Sequence, residues 1–299
     1  MTPAIIGTRG SALAVAQSRL VMAELKRTWP GRNFEIRTIK TKGDVLSEDP
    51  TSDLQVDKGI FTAELEYALR KDDIDIAVHS LKDMPTDETP GLTVGAITKR
   101  ADARDVLITR GPRSLRELPS YGIVATGSPR RSAQITLARP DLRTEDIRGN
   151  IDTRIRKFRD NPEWSGLVLA AAGLERLKPD LKDLVVTPLP FEEMLPAPGQ
   201  GALAVQTRTS DKDVRELLKP LHDAQTSARV TAERMFLHAL GGGCEEPIAA
   251  YAEVTADNLL RLDGIAWLVG EQGPRRGYLL RRMEQASDLG VDLAVEISR

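Results

Sequence analysis

A chain of 299 residues with 40% hydrophobic and 29% charged residues is ordinary globular material, long enough for two or three hydrophobic cores. Its net charge of −2 argues against general nucleic-acid binding, and its single cysteine excludes an intrachain disulfide and a cysteine-pair zinc site. No stretch reaches the ~18 consecutive apolar residues of a membrane span, and residues 1–6 lead directly into an expected strand. The chain therefore reads as cytoplasmic, with neither membrane nor nucleic acid as a partner.

In chain order, strands are expected at Ala4–Gly7, Phe34–Thr38 and Asp75–His79. Helices are expected from about Ser11 to Thr28, stopped by Pro30, and near Thr62–Arg70. A second run follows, with strands at Asp105–Ile108, Ile123–Ala125 and Gly166–Ala170 and helices at Pro129–Ala138 and near Asn150–Arg159. This is the pattern of a parallel α/β sheet. Residues 179–198 are proline-rich and read as a strand and a connection, and Ala202–Val205 as a further apolar strand. After a helix closing near Leu240, the end of the chain reads as α+β. Residues 43–59, rich in Ser, Asp and Thr, read either as a mobile loop or as an ordinary disordered connection.

One local design recurs: an apolar strand, a polar turn, then a helix start. Residues 4–7 run into Thr8-Arg9-Gly10-Ser11, and residues 122–125 into Thr126-Gly127-Ser128-Pro129-Arg130-Arg131. A third strand ends in His79-Ser80-Leu81-Lys82-Asp83-Met84-Pro85. Helix N-termini offer unpaired N–H groups and partial positive charge, and hydroxyls with arginines complete a receptor for carboxylate or phosphate. A Ser or Thr before a helix is equally a plain N-cap, so each turn alone carries both readings. Three such turns at the carboxyl ends of strands point to an anion-binding cleft between two domains. Residues 121–160 hold nine Arg or Lys against five Asp or Glu. Arg156, Lys157 and Arg159 read as a solvated helix face. Arg130, Arg131, Arg148 and Arg154 lie beside Gly, Ser, Thr or Asn at helix starts and read as anion-binding.

No strand is followed by G-x-G-x-x-G, and neither a P-loop nor an H-E-x-x-H spacing occurs, so nucleotide and metal chemistry lose support and no metal site is expected. Cys244 follows three glycines and precedes Glu245 and Glu246. Few side chains can pack around it, so it reads as a reachable turn residue. Two carboxylates and a preceding helix C-terminus disfavour its thiolate. It is either an inert thiol or a sulfur suited to a bond made once. His79, His222 and His238 offer it no convincing base.

These residues resemble the porphobilinogen deaminase family along nearly the whole chain. The matching segments include Thr8-Arg9-Gly10-Ser11, Lys58-Gly59-Ile60-Phe61, residues 75–85, Ser128-Pro129-Arg130-Arg131, Arg148-Gly149-Asn150 and Thr153-Arg154. They continue through residues 195–202, Arg229-Val230-Thr231-Ala232-Glu233-Arg234 and the Gly-Gly-Cys turn. The resemblance implies an α/β fold with two periplasmic-binding-protein-like lobes around a cleft, residues 1–98 with 199–221 and residues 99–198. A smaller C-terminal α+β domain, residues 222–299, would anchor the cofactor. It implies a monomeric transferase that condenses four porphobilinogen molecules head to tail, releasing ammonia, to give hydroxymethylbilane. The chain would grow on a dipyrromethane cofactor held by a thioether to Cys244.

By the same resemblance Asp83 would be the catalytic carboxylate; its plain alternative is a strand-end Asp paired with a neighbouring Lys or a turn N–H. Ser80, Lys82, Asp83, Thr126, Ser128, Arg130, Arg131 and Gln200 would hold the cofactor. Arg9, Ser11, Gln17, Arg148, Gly149 and Arg154 would hold substrate, while Lys58 and Arg176 would guide elongation. For Gln17, Lys58 and Arg176 a plain surface role stays equally open. The loop at 43–59 would cover the cleft. Both Arg131→Ala and Arg154→Ala are expected to impair cofactor assembly or elongation more than stability. The chain departs from the family pattern at Gly127, Pro129, Gly241 and Glu245-Glu246. A solute-binding protein or a regulator without catalysis would use the same lobes, but the former leaves Cys244 unexplained.

Overall fold

The computed structural model describes residues 3–41, 62–242 and 246–299. Lys58, Cys244, Glu245 and the expected loop at 43–59 lie outside the described residues. In chain order the elements are β1 (Ala4–Arg9), α1 (Ala12–Thr28), β2 (Phe34–Ile39), α2 (Ala63–Arg70), β3 (Ile76–Ser80), β4 (Leu92–Ile97), β5 (Asp105–Thr109), β6 (Ile123–Ala125) and α3 (Pro129–Ala138). They continue with β7 (Arg143–Glu145), α4 (Ile151–Asp160), β8 (Trp164–Ala170), α5 (Ala171–Leu177), β9 (Val185–Pro188) and β10 (Leu203–Arg208). Last come α6 (Lys212–Leu218), α7 (Ala224–Ala239), β11 (Ile248–Val254), β12 (Leu260–Trp267), β13 (Pro274–Arg281) and α8 (Ala286–Ile297). The chain divides into two compact units, residues 1–101 with 202–227 and residues 102–201 with 228–299.

The first unit is built on a five-stranded sheet in the order β2-β1-β3-β10-β4. Helix α1 starts where the Ser11 hydroxyl accepts the Ala14 amide, carries Lys26 and Arg27 in its last turn, and buries Val21 and Leu25. Strand β3 is central, with Ile76, Ala77, Val78 and His79 all buried. Strands β1, β2 and β3 run parallel, but β10 runs antiparallel to both β3 and β4. The sheet is therefore mixed, where the alternation of elements implied a parallel one. A parallel neighbour needs a crossover element over the sheet face. Residues 189–202 are turns and irregular, proline-containing chain with no helix to supply it.

The second unit holds a mixed sheet in the order β7-β6-β8-β5-β9, with β5 antiparallel to β8 and β9. Alternate residues of β5 feed opposite faces, Val106 and Ile108 packing with Phe158 and Leu167, and Leu107 with Val124, Ile135 and Val168. The same unit contains an antiparallel sheet, β11-β12-β13. Phe236 of α7 and Leu289 and Leu293 of α8 cover it. Gly290 permits that closeness, since a side chain there would run into the Ala232 carbonyl and Met235 Cβ.

Candidate functional site

In the first unit β1 delivers Arg9, half-buried, to a turn whose Ser11 caps α1. Gln17, one turn into the helix, is 3% exposed, and its Nε2 donates to Ser80 Oγ at 2.7 Å. A surface role is thus closed for Gln17, which braces the end of β3. Residues Leu81–Asp83 form a single helical turn after Ser80. Leu81 and Met84 are buried, and the Leu81 amide donates to the Ala202 carbonyl at 3.1 Å. That leaves Lys82 and Asp83 half-buried between two anchored residues.

Behind this turn His79 is 5% exposed and lies 3.1 Å from Gln206 Oε1 through its Nε2. Gln206 Nε2 donates to Glu66 Oε1 at 3.1 Å, which fixes the amide orientation and assigns the proton of the imidazole to Nε2. Burial, together with the positive charge of Arg9, lowers the His79 pKa to about 4 against the opposing hydrogen bond to Gln206. The ring is neutral at physiological pH and structural rather than a general base.

In the second unit the polar turn before α3 is tight. Thr126 Oγ1 accepts the Ser128 amide at 3.3 Å. A side chain at Gly127 would stand 2.7 Å from Asp146 Oδ1 and 2.8 Å from the Ile147 carbonyl, which accounts for glycine there. Ser128 and Pro129 then start α3. Arg130 and Arg131, each 5% exposed, do not reach into solvent: both meet Asp105, the fully buried first residue of β5. Arg131 Nη2 donates to Asp105 Oδ1 at 2.7 Å and its Nη1 to the Val168 carbonyl at 3.1 Å. Arg130 Nη1 donates to the Leu195 carbonyl at 2.6 Å and stands 2.8 Å from Asp105 Oδ2. That second contact is Coulombic, since Oδ2 receives no well-aligned hydrogen bond. Gln200, also fully buried, donates Nε2 to Asp105 Oδ1 at 2.9 Å and to the Ala103 carbonyl at 2.8 Å.

Burial alone would raise the Asp105 carboxyl, but the two guanidinium groups outweigh it and hold the group below the usual carboxylate range. The same burial pulls Arg130 below its ordinary value. Two cations share one anion, and Arg131 Nε is a buried donor without a hydrogen-bond partner among the described residues.

The other predicted residues of this unit have contacts of their own. Asn150 caps α4 by accepting the Thr153 amide, and Gly149 before it has φ of +113°, where glycine is unstrained. Arg154 Nε donates to the Gly149 carbonyl at 2.7 Å, and exposed Arg148 pairs with Asp146 at 3.0 Å. Arg176 is half-buried, donates to the Gly201 carbonyl at 2.7 Å and is lowered by burial, so it too is more than a surface charge. Sequence reasoning passed over Asp105 and Glu233. Glu233, fully buried on α7, accepts the Gly199 amide on Oε2 and the Ala252 amide on Oε1, both at 2.8 Å. Its signal was spacing, with Val230 and Phe236 three residues to either side marking a buried helix face.

Among the described residues no group of three or more His, Cys, Asp or Glu could hold a metal ion, and no helix is long and apolar enough to cross a membrane. The fold is that of an α/β protein whose helix starts carry arginines and hydroxyls at polar turns.

The family model described as porphobilinogen deaminase, dipyromethane cofactor binding domain, matches residues 4–216, and that of the porphobilinogen deaminase C-terminal domain matches residues 227–299. The porphobilinogen deaminase of Thermus thermophilus is 45% identical over 297 residues, covering 99% of this chain and 96% of that one. That of Deinococcus radiodurans is 44% identical over 302 residues with the same coverage. That of Chloroherpeton thalassium is 39% identical over 293 residues, covering 97% and 92%. The chain belongs to the porphobilinogen deaminase family. It is accordingly a transferase of porphyrin biosynthesis, joining porphobilinogen units with release of ammonia into a linear tetrapyrrole on a dipyrromethane cofactor.

Proposed function

We propose that Cys244 carries the dipyrromethane through a thioether and that Asp83 is the carboxylate of the reaction. Ser80, Lys82, Thr126, Ser128, Arg130, Arg131 and Gln200 hold the cofactor. Arg9, Ser11, Gln17, Arg148, Gly149 and Arg154 hold the substrate, and Lys58 and Arg176 assist elongation. The observation that carries this reading is the Asp105 cluster, with two buried guanidinium groups to one carboxylate and a spare donor at Arg131 Nε. Each pyrrole ring bears an acetate and a propionate, and a guanidinium fork suits such carboxylates. The donors present therefore fit the cofactor.

When bound, the dipyrromethane supplies the nucleophilic terminal pyrrole carbon and a fixed start for the chain. Loss of ammonia from the aminomethyl group of porphobilinogen leaves a methylene-pyrrole cation. A carboxylate beside the pyrrole N–H groups stabilises that charge and accepts the proton that must leave the attacked position. Asp83 is suited to this because Leu81 and Met84 anchor its turn on both sides. The arginines neutralise the carboxylates that accumulate as rings are added.

The same reading gives three domains, residues 1–98 with 199–221, 99–198 and 222–299, in a cytoplasmic monomer. Intact mass tests it: purified protein should exceed its sequence mass by one dipyrromethane, and Cys244→Ser should abolish the increment. An active protein of unmodified mass would overturn it.

A further inference from the structure

We infer that Asp105 is a positioning residue, whose buried carboxylate, braced by Gln200, sets Arg130 and Arg131 as one carboxylate receptor of net charge +1. The inference rests on the proposed role of that arginine pair. Arg130 and Arg131 are sequence neighbours at the start of α3, and both are desolvated. Without an anion between them two buried cations repel, and each would turn toward water or toward carbonyl oxygens. Asp105 prevents this by offering one oxygen to each, Oδ1 to Arg131 at 2.7 Å and Oδ2 to Arg130 at 2.8 Å.

The carboxylate is itself held. It opens β5, whose neighbours on both sides are β8 and β9, and Gln200 Nε2 bridges its Oδ1 to the Ala103 carbonyl. Leu195 is fixed from the other side, its carbonyl accepting from Arg130 Nη1 and Gln134 Nε2 and its amide donating to Gln134 Oε1. A cluster serving stability alone gains nothing from a second buried cation, because an unbalanced charge in a dry site is costly. The surplus charge and the unspent Arg131 Nε are what an incoming carboxylate would satisfy.

The test compares Asp105→Asn, Asp105→Glu and Arg131→Ala, reading by intact mass the fraction of folded, purified protein that carries the dipyrromethane. Asp105→Asn is expected to lower that fraction about tenfold, and Asp105→Glu, which keeps the charge, to recover part of it. A folded Asp105→Asn protein loaded as fully as the parent overturns the inference. Should Asp105→Asn not accumulate as folded protein, Asp105→Glu carries the test: it keeps the charge but displaces the carboxylate from between the two guanidinium groups, a loss of about threefold is expected, and full loading overturns the inference. Arg131→Ala separates this from the reading beneath it. If Arg131→Ala loads fully, the proposed role of the arginine pair fails. If Arg131→Ala does not load while Asp105→Asn does, only the positioning role of Asp105 falls.

Discussion

The Glu233 carboxylate receives the amide hydrogen of Gly199 at 2.8 Å, so a helix residue holds the turn from which Gln200 reaches Asp105. Its second oxygen takes the Ala252 amide of β11, so one buried side chain satisfies two backbone donors. Glu233→Ala strands both and is expected to cost about 2–4 kcal/mol, because hydrogen bonds to a charged group contribute more than neutral ones. Glu233→Gln keeps one acceptor and should cost roughly half as much. Urea midpoints of the two variants against the parent measure this, and an unchanged midpoint for Glu233→Ala would contradict it.

The arginines now separate in what they should do to stability. Arg131 is 5% exposed and shares Asp105 with Arg130, so Arg131→Ala leaves the carboxylate paired but removes buried hydrogen bonds to Asp105 and the Val168 carbonyl, and is expected to destabilise by about 1–3 kcal/mol as well as impair loading. Arg154 is half-buried, with its Nε on the Gly149 carbonyl, so Arg154→Ala should lower turnover while costing about 1 kcal/mol or less. Thermal melting beside porphobilinogen consumption distinguishes them. Equal losses of stability would mean that the buried ion cluster contributes nothing beyond an ordinary partly buried hydrogen bond.

How far the sequence carried this depends on the range of the signal. Pro129–Ala138 and Ile123–Ala125 coincide with the observed elements, and the helix start at Ser11 is a true cap. Capping, proline placement and apolar periodicity act within a few residues, so they are legible. The direction of β10 was not, because antiparallel entry depends on where the chain returns after residues 102–201. Arg130 and Arg131 were legible as anion-binding types, but not that their first anion is internal: Asp105 lies 25 and 26 residues away and opens an apolar strand. Gln17 and Arg176 read equally well as surface residues until Ser80 and the Gly201 carbonyl stood opposite them.

If Asp83 stabilises the cation and moves protons, replacing it by an isosteric amide removes the charge and leaves the turn at Leu81–Asp83 intact. Asp83→Asn is expected to lower kcat by about a hundredfold or more, the scale of a lost acid–base and electrostatic group. Intact mass should still show a loaded cofactor, and the melting temperature should be close to the parent's. A kcat within a few fold of the parent would remove Asp83 from the chemistry.

His79 gives the protein an acid-sensitive point that is independent of turnover. Burial and the Arg9 charge hold the ring at about 4, below the 6.5 of an unperturbed imidazole. Between these values the unfolded chain binds a proton that the folded protein does not, so stability rises with pH through this window. The contribution is complete above about 6.5, is lost as pH falls toward 4, and amounts to roughly 3 kcal/mol across the whole interval. Protonation there would place a second charge beside Arg9 and demand a second hydrogen-bond acceptor within a buried strand end. His79→Gln can still donate to Gln206 but cannot titrate. Its urea midpoint should therefore vary less than the parent's between pH 4 and 6.5. Parallel pH profiles for the two proteins would place the acid sensitivity elsewhere, since Asp105, held below the usual carboxylate range, titrates outside this window.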